Sequence, residues 1–153
     1  MFMQGHLTPQ SRWKIGIVTS RFNQEITEKL EAGAYERLLE LGVKPEQVLR
    51  VRVPGAVEIP VAALRLIERE CDAVIALGAV IRGETSYYDF VCNSVERGCS
   101  EVALRTKKPV IFGVLTTDND EQAEARVGGA HGHKGRDAAE VAVEMINLME
   151  MIY

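Results

Sequence analysis

The sequence predicts an α/β fold, a single three-layer sandwich in which a four-stranded parallel sheet is flanked by helices. Two observations predict it. From Trp13 onward, short apolar runs alternate with amphipathic ones, the pattern of parallel strands joined by helical crossovers. No antiparallel signal, repeat or linker interrupts that alternation, so four strand-helix units form one doubly wound layer with few right-handed topologies open to it. A chain of 153 residues suits one such domain, read as residues 13–153 after an N-terminal arm of residues 1–12.

Trp13 to Ser20 reads as a buried strand, and Gln24 to Leu41 places Ile26, Leu30, Ala34, Leu38 and Leu41 on one helical face, with Gly42 as the C-cap. Val48 to Val53 alternates apolar residues with Arg50 and Arg52, the signature of an edge strand with one wetted face, and Pro54-Gly55 ends it. A second helix starts near Val57, with Pro60 in its first turn, and runs to about Glu70. Ala73 to Ile81 is apolar throughout and therefore central in the sheet. A third helix covers Ser86 to Thr106 with Val91, Val95, Cys99 and Val102 inward, and Pro109 to Thr117 is the fourth strand. A short helix near Glu121 to Val127, a glycine-rich break and a helix from about Gly135 complete the chain; Ala138, Val141, Met145, Leu148 and Ile152 are expected to face inward.

With 46% hydrophobic residues and 26% charged, the composition is that of a globular domain. A net charge of −4 provides no field for nucleic acid or an anionic membrane, so an anionic substrate must be held locally. Three cysteines, Cys71, Cys92 and Cys99, make no disulfide framework, and no leader or spanning segment is read, which together predict a cytoplasmic protein without nucleic-acid or membrane partners.

Ligands of open parallel sheets bind beyond the carboxyl ends of the strands. There the sequence places Arg21-Phe22-Asn23, Pro54-Gly55-Ala56-Val57-Glu58, Arg82-Gly83-Glu84-Thr85-Ser86-Tyr87-Tyr88-Asp89 and Val114-Leu115-Thr116-Thr117. Phe22 is either a stacking face for a flat heterocycle or a loop aromatic covering a helix end. Gly83-Glu84-Thr85-Ser86 opens a helix and is either a phosphate cradle or an ordinary N-cap, two roles that are compatible. Glu58 either complements a helix dipole or accepts from substrate donors. Between Arg126 and Lys134 lies a glycine-rich loop suited to closing over an anion or simply to solvation. His131 and His133 lack a nearby third ligand, so no metal is expected.

Taken together, RFN, VPGAVEIP, GAVIRGETSYYDFV, PVIFGVLTT and EQAEARVGGAHGHKGRDAAEVAVEM, in this order, resemble the lumazine synthases over nearly the whole chain. The resemblance implies a flavodoxin-like topology and condensation of ribitylaminouracil with dihydroxybutanone phosphate to dimethylribityllumazine, with release of phosphate and water and without a cofactor. It implies that Phe22 stacks on the pyrimidine, and that Ala56, Val57 and Glu58, with Val80 and Ile81, receive the ribityl chain and ring edge. It further implies that Gly83, Glu84, Thr85 and Arg126 hold phosphate, that Lys134 lies beside the four-carbon unit, and that Phe112 is supplied by a neighbouring subunit. The implied assembly is a pentamer or a sixty-chain icosahedral shell, the compact Arg126 to Lys134 loop matching the shell-forming type, with residues 1–12 pairing with a neighbour's sheet and riboflavin synthase as a partner.

One position departs from the family. Where GxTxHxxxV carries histidine, this chain has Tyr87, and a phenol, which ordinarily titrates near pH 10, cannot shuttle protons as imidazole does. Holding two reactants in register supplies effective molarities of about 10⁵ M or more, so loss of one general acid-base group need not abolish turnover. Tyr87 is then expected to position substrate or donate a hydrogen bond, while the leaving phosphate, water, Lys134 or His133 carries protons. The competing readings are a non-catalytic riboflavin- or lumazine-binding homologue, a cage-forming structural protein and a flavin-binding electron carrier; retention of RGET with Arg126 favours the enzyme.

Overall fold

A computed structural model describes residues 1–152. Strands β1 (Ile15–Ser20), β2 (Val48–Val53), β3 (Ala73–Ile81) and β4 (Val110–Thr117) form one parallel sheet in the order β2-β1-β3-β4. β3, the most apolar, is central, and β2, with its two arginines, is an edge. Helices α1 (Gln24–Leu41) and α5 (Lys134–Met151) cover one face, α2 (Ile59–Glu68) and α3 (Tyr87–Thr106) the other.

Side-chain alternation along the strands divides the core accordingly. Ile15, Ile17, Ile75 and Leu77 meet Leu30, Leu38, Ala142 and Ile146, while Val18, Val74 and Ala76 meet Ile59, Ala63, Val95 and Cys99. Each large aliphatic side chain removed wholly from water stabilises the sandwich by about 1.5–3 kcal/mol. α1 and α5 approach closely because glycine faces the partner from both: a Cβ on Gly33 would strike the His133 ring, and one on Gly135 would strike the Leu30 carbonyl oxygen.

The helix bounds follow local chemistry. α1 ends where Gly42 adopts φ 112°, a left-handed C-cap that glycine takes without strain. α2 is shorter than its sequence suggests, since Ala56–Glu58 forms a separate 3₁₀ turn before it.

Two expectations need correction. The expected short helix near Glu121 to Val127 is α4 (Asp120–Glu124), and the glycine-rich break is an antiparallel hairpin of β5 (Val127–Gly129) and β6 (Gly132–His133), so one antiparallel pair is present after all. α5 buries Gly135, Ala138, Ala139, Ala142, Val143, Ile146 and Asn147, one stripe over from the one expected: Ala138 is buried, but Val141 and Ile152 are exposed and Met145 and Leu148 only half-buried. Small residues win the buried stripe because α1 lies so near. The edge strand β2 is as expected, with Arg50 and Arg52 on its wetted face, and both arginines also pair with α1. Arg52 Nε and Nη2 donate to the two carboxylate oxygens of buried Glu31 at 3.1 Å each, Arg50 Nη1 lies 3.7 Å from it, and the Arg50 guanidinium sits 3.8 Å from the Tyr35 ring centroid. Burial alone would raise the Glu31 pKa, but the Arg52 hydrogen bonds and the two charges outweigh it and hold the carboxyl below its usual range.

The segment before β1 is pinned to its own chain. Asn147 Nδ2 donates to the carbonyls of His6 (2.7 Å) and Thr8 (3.1 Å), and Gln47 Nε2 donates to those of Gln10 (2.9 Å) and Trp13 (3.0 Å). Met1 and Phe2 project beyond these anchors, exposed.

Candidate active site

The chain passes from β1 to β2 on one side of the sheet and from β3 to β4 on the other, so the ends of β1 and β3 form a topological switch point, where open sheets gather ligands. A cleft of about 440 Å³ opens there. Arg21 N donates to Val53 O (2.8 Å) and Phe22 N to Pro54 O (3.2 Å), carrying the β1–β2 ladder past the strand end and holding the Phe22 ring over the cleft, 73% exposed. Asn23 turns the chain at φ 63°, a conformation asparagine tolerates better than most residues, and its Nδ2 donates to Ala79 O at 2.8 Å. Val80 and Ile81 line the β3 end, and Ala56, Val57 and Glu58 the 3₁₀ turn opposite. Glu58 Oε1 accepts from Gly55 N at 2.8 Å, which fixes the carboxylate at the cleft edge with its second oxygen uncommitted to that bond.

On the far wall stand Gly83, Thr85 and Tyr87. A Cβ added to Gly83 would meet nothing within 4 Å, so the main chain there is open to the cleft. Thr85 Oγ1 accepts from Tyr87 N at 3.3 Å, one residue ahead of the N-cap position, where Ser86 makes no side-chain cap bond. Glu84 is exposed and lines neither this cleft nor the next.

A second concavity, of about 370 Å³, lies at the end of β4 and contains Thr116, Thr117, Arg126, His131, Lys134 and Asp137. The hairpin builds it: Lys134 N donates to Arg126 O (2.8 Å), His131 N to Ala125 O (2.8 Å), and Arg126 Nη1 to Gln122 O (2.7 Å). Two cations are thereby presented on a short, hydrogen-bonded frame. Within one chain, then, the residues expected to meet are divided. Phe22, Ala56, Val57, Glu58, Val80, Ile81, Gly83, Thr85 and Tyr87 share the first cleft; Arg126 and Lys134 share the second; Phe112 lies in neither, half-buried against the α2–α3 side of the core.

Residues 12–150 match the model of the family described as 6,7-dimethyl-8-ribityllumazine synthase. The chain belongs to this family. It is similar to the curated protein of that name from Bdellovibrio bacteriovorus, at 55% identity over 91% of this chain and 76% of the relative. It is also similar to that from Coxiella burnetii, at 54% identity over 94% and 95%, and to that from Cytophaga hutchinsonii, at 49% over 93% and 90%.

Several residues around the two clefts carried no assigned role in the sequence. Arg82 ties the end of β3 to the end of β4: its N donates to Thr117 O (2.8 Å), its Nε donates to Asp118 Oδ1 (2.9 Å), its Nη1 lies 3.8 Å from Asp89, and its guanidinium stands 4.4 Å from the Tyr88 ring centroid. Its adjacency to Gly83-Glu84-Thr85 was the available signal. Burial, reinforced by the neighbouring Cys92 thiol, pushes the Tyr88 phenol above its usual value. The thiols are packing groups: burial raises Cys71 and Cys92 and drives Cys99 up to about 12. His133, expected among the proton carriers, is engaged otherwise. Its ring packs where a Gly33 side chain would stand, its Nδ1 accepts from Arg136 N at 3.3 Å as the N-cap of α5, and it lines neither cleft. Among the described residues no three His, Cys, Asp or Glu side chains gather as a metal site would require.

Proposed function

We propose that this chain is a transferase that condenses 5-amino-6-(D-ribitylamino)uracil with 3,4-dihydroxy-2-butanone 4-phosphate to 6,7-dimethyl-8-ribityllumazine, releasing phosphate and water, in riboflavin biosynthesis. The observation that carries the reading is the near-full-length match to relatives bearing that name. The uracil stacks on Phe22, worth about 0.5–1.5 kcal/mol beyond the area it buries. Ala56, Val57, Glu58, Val80 and Ile81 receive its ribityl chain and ring edge, while Gly83 and Thr85 on the cleft wall, with the main chain of Glu84 between them, offer donors to phosphate at the start of α3. Arg126 and Lys134 supply the cations that hold the phosphate of the four-carbon unit. Tyr87 positions substrate at the first cleft.

The working site lies between two copies of the chain. Support comes from the division itself, since the first cleft has the stacking face and main-chain donors but not the Arg126–Lys134 pair, which stands in the second concavity of the same chain. Phe112, in neither, is the neighbour's contribution. Exposed apolar side chains beside the first cleft and on its helices, Val61, Phe90 and Leu104 among them, give that neighbour a surface to cover. The tight hairpin between Arg126 and Lys134 favours a shell of sixty chains over a free pentamer, with the 1–12 arm, held to its own chain from His6 to Gln10, reaching the adjacent subunit through exposed Met1 and Phe2. The protein acts in the cytoplasm, with riboflavin synthase as a partner that takes its product; no helix among the described residues is long and apolar enough to cross a membrane.

Mixing purified protein with the two substrates and following product absorbance against a protein-free control tests the reaction. Acceleration well above the control is expected. A rate equal to the control, with riboflavin or lumazine still bound tightly, overturns it in favour of a binding module.

A further inference from the structure

We infer that His131 is the acid-base residue of this site, an inference that rests on the reaction proposed above. Every step of that condensation relocates protons. The amine nitrogen bonds to the ketone carbon and water departs. A proton then leaves the carbon beside the phosphorylated one, its electron pair becomes a C=C bond, and the C–O bond to phosphate breaks. The resulting enol gives up its hydroxyl proton as the terminal carbon gains one, becoming a methyl ketone, and the ribitylamine closes on that carbonyl with loss of a second water. Taking a proton from carbon and returning one to the neighbouring carbon calls for a group that exchanges protons near neutral pH, and imidazole is the side-chain type that does so.

The chain has 3 histidines. His6 lies before β1, its Nδ1 accepting from Thr8 N at 3.3 Å and its carbonyl held by Asn147 of α5. His133 is committed to capping α5 and packs against Gly33. His131 alone lines a cleft, the one containing Arg126 and Lys134, where its side chain is exposed. Its main chain is fixed by the bond from His131 N to Ala125 O, and Gly132 turns the hairpin directly after it at φ 78°. Arg126, Lys134 and Asp137 are the charged groups facing it, with Thr116 and Thr117 from β4. The carbon that must lose its proton is one bond from the phosphorylated carbon, so a phosphate held by the two cations brings it to the concavity that His131 lines. Tyr87 occupies the first cleft and offers a phenol there, a hydrogen-bonding group on the other wall.

The experiment compares the parent with His131→Gln, His131→Ala and the double variant His131→Gln/Tyr87→His across pH, with assembly mass and product binding checked in each. His131→Gln is expected to lower kcat by about 10²-fold while KM for the phosphate substrate stays within about threefold, and to remove the acid limb of the pH–rate profile. Added imidazole should restore part of the rate to His131→Ala, and Tyr87→His should rescue His131→Gln by placing an imidazole on the opposite wall. An unchanged kcat in His131→Gln, or a fall that neither imidazole nor Tyr87→His recovers, overturns the inference. A parent that fails to accelerate the condensation defeats the proposed function instead; an active parent with indifferent His131 variants defeats only this assignment.

Discussion

The two clefts of one chain are made of opposite materials. The first, at the β1–β3 switch point, is walled by strand ends, a 3₁₀ turn and an aromatic, and the one charge described there, Glu58, is tied to Gly55 N. The second rests on a hairpin with strands of 3 and 2 residues and presents Arg126, His131, Lys134 and Asp137. A flat ring is recognised by a rigid apolar slot, and an anion by cations whose geometry a short hydrogen-bonded frame can fix. The two lie apart in one chain, and on the proposed reading, in which they meet across an interface, each copy is half a site twice over; that separation predicts the largest effects. Removing a charge-assisted phosphate contact costs about 1.5–3 kcal/mol, so Arg126→Ala should lower kcat/KM by about 10- to 10²-fold. The sharper form mixes Arg126→Ala chains with Phe22→Ala/Glu58→Ala chains after co-refolding. At a head-to-tail interface, about a quarter of sites in a random 1:1 mixture draw both halves intact, and activity should return toward that fraction. Activity equal to the mean of the two separate variants would place each site within a single chain.

The clefts also differ in what supports them. The second depends on α5 seating against α1, and Gly135 permits it because any Cβ there meets the Leu30 carbonyl, a backbone atom that cannot step aside. Gly135→Ala should cost about 1–3 kcal/mol, the usual range for forced overpacking, and lower Tm by several degrees. Arg126 and Lys134 would shift with it, so phosphate affinity should fall while lumazine stacking at the first cleft persists. A variant with unchanged Tm would show that the helices can separate without cost. A smaller effect is expected for Phe22→Ala: loss of the stacking contribution of about 0.5–1.5 kcal/mol should weaken product binding roughly 3- to 10-fold, measurable by fluorescence titration.

The same contrast governs what could be read from sequence. β3 and β4 announce themselves as apolar runs, and α1 has its bounds in the sequence because Gly42 supplies a left-handed stop. The first cleft was legible for the same reason, since it is assembled from the residues that follow strand ends. The hairpin was not. Val127–Gly129 and Gly132–His133 are too short and too rich in glycine to alternate apolar with polar residues, the signal by which strands are recognised. Nor was the buried face of α5, where Ala138, Ala139 and Ala142 pack close to α1 while the larger Val141 lies outside, so ranking residues by apolar size selects the wrong stripe. The separation of Arg126 and Lys134 from Gly83 and Thr85 is a property of sheet order, which no local pattern encodes.

His133 gives the smallest expected effect and the one that best isolates the hairpin from the rest of the molecule. Burial, and then the Arg136 charge, lower its pKa below the usual 6.5, because both disfavour the cation. Its neutral Nδ1 accepts from Arg136 N, and a protonated ring would lose that acceptor while adding charge near the start of α5, where helix termini disfavour cations. The folded state therefore binds fewer protons than the unfolded one between the depressed pKa and 6.5. By linkage, stability from this group is fully present above about pH 6.5, declines as pH falls below it, and levels off beneath the folded pKa. Hydrogen exchange at the α5 start should accelerate across that window while exchange in β1 and β3 does not. Substituting His133→Asn, which keeps a cap acceptor without a titrating group, should abolish the pH dependence and leave the cap in place; if the acceleration survived that substitution, the acid sensitivity of the hairpin would have to come from the carboxylates around it.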